Sequence, residues 1–178
     1  MSATRNLAVI LSVILGSSGV SFAQAAVPTE QVKQWNALIG KWVNQEEQRD
    51  GPEEAWQKVS SEWEIRWVPG GFFVETPGKM VFADGEEGAW QQVWGFDPAQ
   101  KTHFSMWFNN SGGIGKQTFK WTGTTLEVEG TEISVDGTQT GMRCTYEHSN
   151  NYTAMDAKCE RFTDGKWWVS RKVKGAKQ

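Results

Sequence analysis

The stretch Glu62-Trp63-Glu64-Ile65-Arg66-Trp67 alternates charged and apolar residues at every position. Successive side chains of a β-strand point to opposite faces of a sheet, so this alternation is typical of a strand with one dry face and one wet face. Trp63, Ile65 and Trp67 share the dry face. The stretch therefore predicts a half-buried β-strand.

Similar runs of strand length recur along the chain, separated by turn signals such as Asp84-Gly85 and Asp164-Gly165. The pattern is that of an all-β, antiparallel up-and-down barrel of roughly ten strands, with a sandwich as the alternative. We prefer the barrel because closing the sheet removes its exposed edges. The predicted strands cover residues 42–48, 62–67, 72–76, 90–96, 103–108, 116–121, 126–132, 138–146, 152–162 and 167–174.

One helix is predicted ahead of the strands. Pro28-Thr29 opens it, with Thr29 as the N-cap, and Gly40 ends it. Its apolar face is formed by Val32, Trp35, Leu38 and Ile39.

The N-terminal residues have the layout of a cleavable signal peptide. Arg5 precedes an apolar run over residues 7–15, and Ala23-Gln24-Ala25 has the small-residue pattern that signal peptidase recognises. The run is too short for a membrane span, which needs roughly 20 apolar residues. We therefore expect cleavage after Ala25, with cleavage after Ala23 as the alternative, a single domain over residues 26–178, and a periplasmic or secreted protein.

Charge and cysteine content narrow the classes of partner. The formal net charge is -3, with acidic and basic residues interleaved, so nucleic acid is a poor candidate. Cys144 and Cys159 flank the turn signal at residues 148–151 and are expected to form a disulfide across two strands after export, the alternative being two buried thiols. Neither has a second ligand at metal-binding spacing, so no metal site is predicted.

Four motifs point to a family: Leu38-x-Gly40-x-Trp42, Pro69-Gly70-Gly71-Phe72, Trp94-Gly95-Phe96-Asp97-Pro98-x-x-Lys101 and Ser105-x-Trp107-Phe108-Asn109. In these motifs the chain resembles a bacterial family known as domain of unknown function 1579. This resemblance implies a lipocalin-like or nitrobindin-like barrel and no particular reaction. In lipocalin-like barrels the tryptophan of the Gly-x-Trp motif closes one barrel end beneath an arginine of the last strand, which implies Trp42 and Arg171 here.

The eleven tryptophans are the strongest functional signal. Any one of them could simply fill the core, but the whole set would overcrowd a small barrel, so we favour an aromatic-lined cavity. If Trp42 points inward, seven residues are candidates to line the cavity, the equal alternative being that the opposite face of residues 103–108, with Phe104, Met106 and Phe108, is the core. Glu75 and Arg143 could add charge inside the barrel, although solvent exposure is the ordinary alternative for both. The seven candidates are Trp63, Trp67, Trp94, His103, Ser105, Trp107 and Asn109.

No cofactor is predicted. Haem would be the first candidate in a nitrobindin-like barrel, but the haem-binding family takes its axial histidine from near the C-terminus. Here no histidine follows His148, and an exposed position in a polar turn is expected for that residue.

Three functions remain open. The first is an exported barrel that binds a small apolar or aromatic molecule without catalysis. The second is an isomerase-like or cyclase-like enzyme in which His103 acts as acid or base on such a molecule. The third is an envelope protein with a filled barrel that meets a partner through exposed tryptophans.

Overall fold

The computed structural model describes residues 30–178, so the predicted signal peptide and the predicted N-cap Thr29 lie outside the described residues. Ten strands follow a short helical segment. They are β1 (Gly40–Gln48), β2 (Gln57–Trp67), β3 (Val74–Phe82), β4 (Glu87–Asp97), β5 (Thr102–Asn109), β6 (Ile114–Thr122), β7 (Thr125–Ile133), β8 (Gln139–Ser149), β9 (Ala154–Thr163) and β10 (Lys166–Lys177).

The strands form one closed antiparallel barrel in which each strand pairs with its neighbour in sequence and β1 pairs with β10. The closing pair runs from Trp42 opposite Lys177 to Gln48 opposite Arg171. Short turns connect the strands, since an antiparallel pair needs only a hairpin. The predicted all-β barrel of ten strands is confirmed.

The helical segment is shorter than predicted. It consists of α1 (Glu30–Lys33) and a 3₁₀ turn over Gln34–Ala37. Val32, Trp35 and Leu38 are buried, as the predicted apolar face requires. The segment covers the barrel end at which β1 begins, which we call the helix end; the opposite end is the mouth. No helix within residues 30–178 is long and apolar enough to cross a membrane.

Strand β3 continues six residues beyond the predicted end at Thr76. Pro77 and Gly78 read as a strand break in the sequence, but both lie inside the ladder, opposite Gln91 and Trp90. A side chain at Gly78 would collide with the indole ring of Trp90. Glycine is therefore needed at position 78 because the Trp90 ring lies directly against the backbone there, a close approach that glycine can allow inside a strand.

A disulfide joins Cys144 and Cys159, as predicted, and links β8 to β9. The two residues are directly opposite each other in the ladder, and both side chains are buried. Their separation of 15 residues encloses the turn between these strands.

Replacing both cysteines by alanine should lower the free energy of unfolding by about 3 kcal/mol, because the unfolded chain loses a loop constraint. Urea denaturation of the oxidised protein and of the double variant measures this difference. A thiol reductant should destabilise the wild-type protein by a similar amount and leave the double variant unchanged. Equal stability of the two proteins would contradict the prediction.

Candidate functional site

The barrel encloses two connected spaces. The inner cavity, near the helix end, has a volume of about 100 Å³. The outer cavity, toward the mouth, has a volume of about 560 Å³. Five residues line both spaces and mark their junction: Trp90, Gln92, Gln117, Tyr146 and Arg171.

The inner cavity has a largely apolar and aromatic wall. Its lining includes Trp42, Trp63, Ile65, Trp90, Trp94 and Phe119. The rings of Trp63 and Trp90 meet edge to face, with centroids 5.9 Å apart. Such walls favour an apolar or aromatic guest, because they offer dispersion contacts and few competing hydrogen bonds.

Two tryptophans stay close to the wall because glycine lies next to them. Trp90 is paired with Gly78 and Trp107 with Gly115 on neighbouring strands, and a Cβ atom on either glycine would meet the ring. Each indole thus occupies the space of a missing side chain. This arrangement leaves the middle of the barrel unfilled.

A belt of hydrogen-bonded side chains lies at the junction. Gln92 donates from Nε2 to Ser105 Oγ at 2.8 Å and to Gln117 Oε1 at 3.1 Å. Ser105 in turn donates to Gln117 Oε1 at 2.9 Å, and Gln117 Nε2 lies 3.1 Å from the sulfur of Met142. The mutual bonds fix these amide groups, as a buried polar network requires.

An ion pair completes the belt on the side where the barrel closes. Arg171 of β10 donates from Nε to Glu46 of β1 at 2.5 Å, and Ser61 donates its hydroxyl to the other carboxylate oxygen. The Glu46 side chain is fully buried, whereas 28% of the Arg171 side chain is accessible. Burial opposes the charge on Arg171, but the Glu46 carboxylate outweighs it and raises the pKa of this guanidinium.

A second ion pair lies higher in the outer cavity. Arg161 Nη2 contacts both carboxylate oxygens of Glu132, at 3.1 and 2.9 Å. Residues of both charges border the outer cavity: Arg49, Arg161 and Arg171 with Asp50, Glu86, Glu87, Glu132 and Glu160. The Glu160 carboxylate is turned to the outer face, where it pairs with Arg143. The approach to the lumen is therefore charged, with both signs present.

Two polar groups of the inner wall have no partner within residues 30–178. They are the hydroxyl of Thr76 and the indole N–H of Trp94, and both atoms are buried. A buried donor without a partner costs free energy. Both atoms are closed off from the cavity surface, so they lie within the wall and not at its inner face.

His148 lies in the inner wall instead of the exposed turn expected from the sequence. It is buried on β8, between Trp42 and Trp121, with ring centroids 6.2 and 5.7 Å away. Its Nδ1 lies 3.1 Å from the carbonyl oxygen of Thr124, which accepts the proton of the neutral ring. Burial lowers the pKa of His148, and the hydrogen bond to Thr124 offsets only part of this effect.

His103 lies beneath the helical segment and lines neither cavity. Its ring packs against Trp35 and Phe96, with centroids 5.3 and 5.1 Å away. The side-chain amide of Gln34 lies 2.6 Å from Nε2 and donates to it. Burial lowers the pKa of His103, so the neutral ring is favoured.

The predicted lining residues lie in five different places. Trp63 and Trp94 line the inner cavity, and Trp107 and Asn109 line the outer one. Ser105 is buried and belongs to the belt. Trp67, like His103, lies under the helical segment, with its indole N–H 3.0 Å from Asn36 Oδ1. Glu75 and Arg143 instead lie on the outer face.

The sequence allows Glu75 and Arg143 to place charge inside the barrel, and the structure corrects this expectation. Both side chains point outward, as the alternation along their strands requires. Glu75 alternates with the buried Val74 and Thr76, and it accepts from Arg66 Nε at 2.8 Å. Arg143 precedes the buried Cys144, pairs with Glu160 at 2.6 Å and stacks on the exposed ring of Trp167. Neighbours of inward residues point outward in a strand.

The implied stack of Arg171 on Trp42 is also corrected. Trp42 does point inward near the helix end, and its indole donates to the carbonyl oxygen of Leu38 at 2.9 Å. The cation near its ring is Lys177, at 5.9 Å from the centroid. Arg171 lies six residues before Lys177 on β10, opposite Gln48, and its ion-pair partner is Glu46.

The sequence interpretation missed the residues that make the belt and the ion pairs. Glu46, Glu132 and Arg161 have the inward parity of Trp42, Val128 and Cys159 on their own strands. The signal that would have found them is a pair of oppositely charged residues at inward positions, either on the closing strands β1 and β10 or two strands apart on β7 and β9.

The profile of a family described as "Protein of unknown function (DUF1579)" matches residues 27–173. The chain belongs to this family. The family resemblance drawn from the four motifs is thereby confirmed. No curated protein matches the sequence.

Solved structures resemble this DUF1579 chain in fold. The crystal structure of Rv2717c from M. tuberculosis aligns with a TM-score of 0.62 at 12% identity, over 85% of this chain and 99% of that one. A de novo designed fluorescence-activating β-barrel aligns at 0.43 with 12% identity, over 80% and 95% of the two chains. EF1p2_mFAP2b bound to DFHBI aligns at 0.43 with 16% identity, over 83% and 98%.

Replacing one partner or the other of the buried ion pair in this DUF1579 chain should lower the free energy of unfolding by different amounts. Arg171→Gln leaves the inaccessible Glu46 carboxylate unpaired and should lower the free energy of unfolding by about 3 kcal/mol or more. Glu46→Gln leaves the guanidinium in contact with the water of the outer cavity, so the loss should be clearly smaller. Urea denaturation at neutral pH compares the two variants. A larger loss for Glu46→Gln would contradict the burial argument.

The two buried histidines should make the DUF1579 barrel less stable in mild acid. Histidine in the unfolded chain takes up a proton near its usual pKa of 6.5, whereas both folded-state pKa values are lower. The free energy of unfolding should therefore fall as pH decreases from about 7 to about 5. The double variant His103→Gln/His148→Gln should show a shallower fall in urea denaturation across this range. An unchanged slope would contradict the assignment.

Proposed function

We propose that this protein binds a small, largely apolar or aromatic molecule inside the barrel, without catalysis, after export to the periplasm or the cell exterior. The observation that carries the proposal is the aromatic inner cavity, which opens into a larger outer cavity. A lumen of this kind is a typical site for small ligands. The buried disulfide supports the export part of the proposal, because disulfides persist in oxidising compartments.

The two alternatives have less support. An enzyme that uses His103 as acid or base needs this ring next to the ligand, but the ring packs under the helical segment and lines neither cavity. A filled barrel is at odds with about 100 and 560 Å³ of space inside the lumen. Non-catalytic binding needs only the cavity and its walls.

Intrinsic tryptophan fluorescence tests the proposal directly. Trp42, Trp63, Trp90 and Trp94 surround the inner cavity, so a guest should quench or shift their emission saturably. A panel of a fatty acid, an isoprenoid and a flavonoid covers chain-like and ring-like apolar molecules. We expect at least one of them to bind saturably, and an emission spectrum unchanged by every member would contradict the proposal.

A matched pair of variants on β7 locates the binding. Val128 faces the inner cavity and Glu129, its neighbour, is exposed. Val128→Phe should fill the cavity and weaken binding about tenfold or more, with an overpacking cost of about 1–3 kcal/mol. Glu129→Phe adds the same ring outside and should leave binding unchanged. Circular dichroism confirms that both variants fold, and equal affinities would place the ligand outside the lumen.

A further inference from the structure

We infer that the ligand is an uncharged molecule with a carbonyl oxygen on a flat apolar body, and that Arg171 and Tyr146 bind this oxygen at the junction of the two cavities. This inference rests on the proposed function and adds the chemical class of the ligand. Its basis is the balance of hydrogen-bond donors and acceptors, and of charges, that the lumen presents to a guest.

Two donors at the junction are available to a guest. Arg171 uses Nε for Glu46, and its two Nη groups have no hydrogen-bond partner within residues 30–178. Tyr146 lines the same junction as Arg171, and its hydroxyl has no partner in the same part of the chain. Both residues line both cavities. A guanidinium and a phenol together form a strong site for one oxygen acceptor.

The acceptors beside these donors are already engaged. Glu46 receives Arg171 and Ser61 on its two oxygens, and Gln117 Oε1 receives both Gln92 and Ser105. In contrast, the Nη groups of Arg171 and the hydroxyl of Tyr146 have no partner among the described residues. A guest that supplies an acceptor therefore relieves an imbalance, whereas one that supplies only donors does not.

The charges around the site disfavour an anion. A carboxylate on Arg171 would lie close to Glu46, which is fully buried and cannot be screened by water. Like charges in a confined space repel strongly. A carbonyl oxygen accepts the same hydrogen bonds without adding a charge.

A cation is disfavoured for the opposite reason. The positive groups nearest the junction are Arg171 and Arg161, and the carboxylates that face them, Glu46 and Glu132, are each bound to their own arginine. A cation in the inner cavity would lose its water among aromatic and aliphatic walls. The indole rings that form these walls suit a flat, uncharged body.

Four molecules with one benzene ring separate these classes: acetophenone, ethylbenzene, benzoate and benzylammonium. Acetophenone and ethylbenzene have nearly the same shape and differ in the carbonyl oxygen. Titration of the mature, disulfide-bonded protein, followed by the NMR shifts of the indole N–H resonances, gives each affinity. We expect acetophenone to bind about tenfold or more tightly than each of the other three.

Variants test the two donors. Tyr146→Phe should weaken acetophenone binding about fivefold and change ethylbenzene binding less than twofold, since only one ligand has an acceptor. Arg171→Gln alone strands Glu46, so the paired variant Glu46→Gln/Arg171→Gln is used, and it should reduce acetophenone affinity to that of ethylbenzene. Met106→Ser, on the exposed outer face, is the control and should change neither affinity.

The outcomes separate the two proposals. Equal binding of acetophenone and ethylbenzene, or tighter binding of benzoate or benzylammonium, overturns the carbonyl assignment and leaves lumenal binding intact. Acetophenone selectivity that survives both donor variants overturns the roles of Arg171 and Tyr146. Absence of indole shifts with all four molecules overturns the carbonyl assignment, while a response to the fatty acid, isoprenoid and flavonoid panel decides the proposed function separately.

Discussion

The pairing of β1 with β10 is the constraint on which the rest of this structure depends. It closes the sheet, so no strand within residues 30–178 has a free edge. Closure also gives the sheet an inside and an outside, so alternate side chains of each strand point into the lumen and away from it. The buried pair of Glu46 and Arg171 joins these two strands from the inside. The same contact therefore connects barrel closure with the chemistry of the lumen.

The interior is not built for maximum stability. A well-packed apolar core would be at least as stable as one containing buried ion pairs, and empty volume forfeits packing contacts. This barrel nevertheless keeps two arginine–carboxylate pairs, a belt of amides and two tryptophans held over glycines. Closure of the sheet, the buried disulfide and the covered helix end offset these costs. Such a balance is expected of a fold that maintains a space for a guest.

Alternation made the strands predictable, and the same rule explains the failures. In residues 62–67 the tryptophans and the isoleucine identify the inward face of the strand. Glu46 and Arg161 also point inward, although a charged residue normally indicates the solvent side. The polar residues that follow His148 indicate a turn at this position, but β8 extends to Ser149. The partner of Arg171 depends on the register of the closing strands, which are about 125 residues apart and share no local signal.

The two ends of the lumen differ in a way that bears on selectivity. The helical segment covers the helix end of the barrel, where Trp35 is fully buried, so the mouth is the entrance for a guest. It meets the charged outer cavity first, then the junction with Arg171 and Tyr146, and only then the apolar inner wall. A hydrocarbon gains nothing from the donors at the junction. Discrimination by polarity thus precedes the dispersion contacts that hold the guest, and this order allows a mostly apolar cavity to be selective.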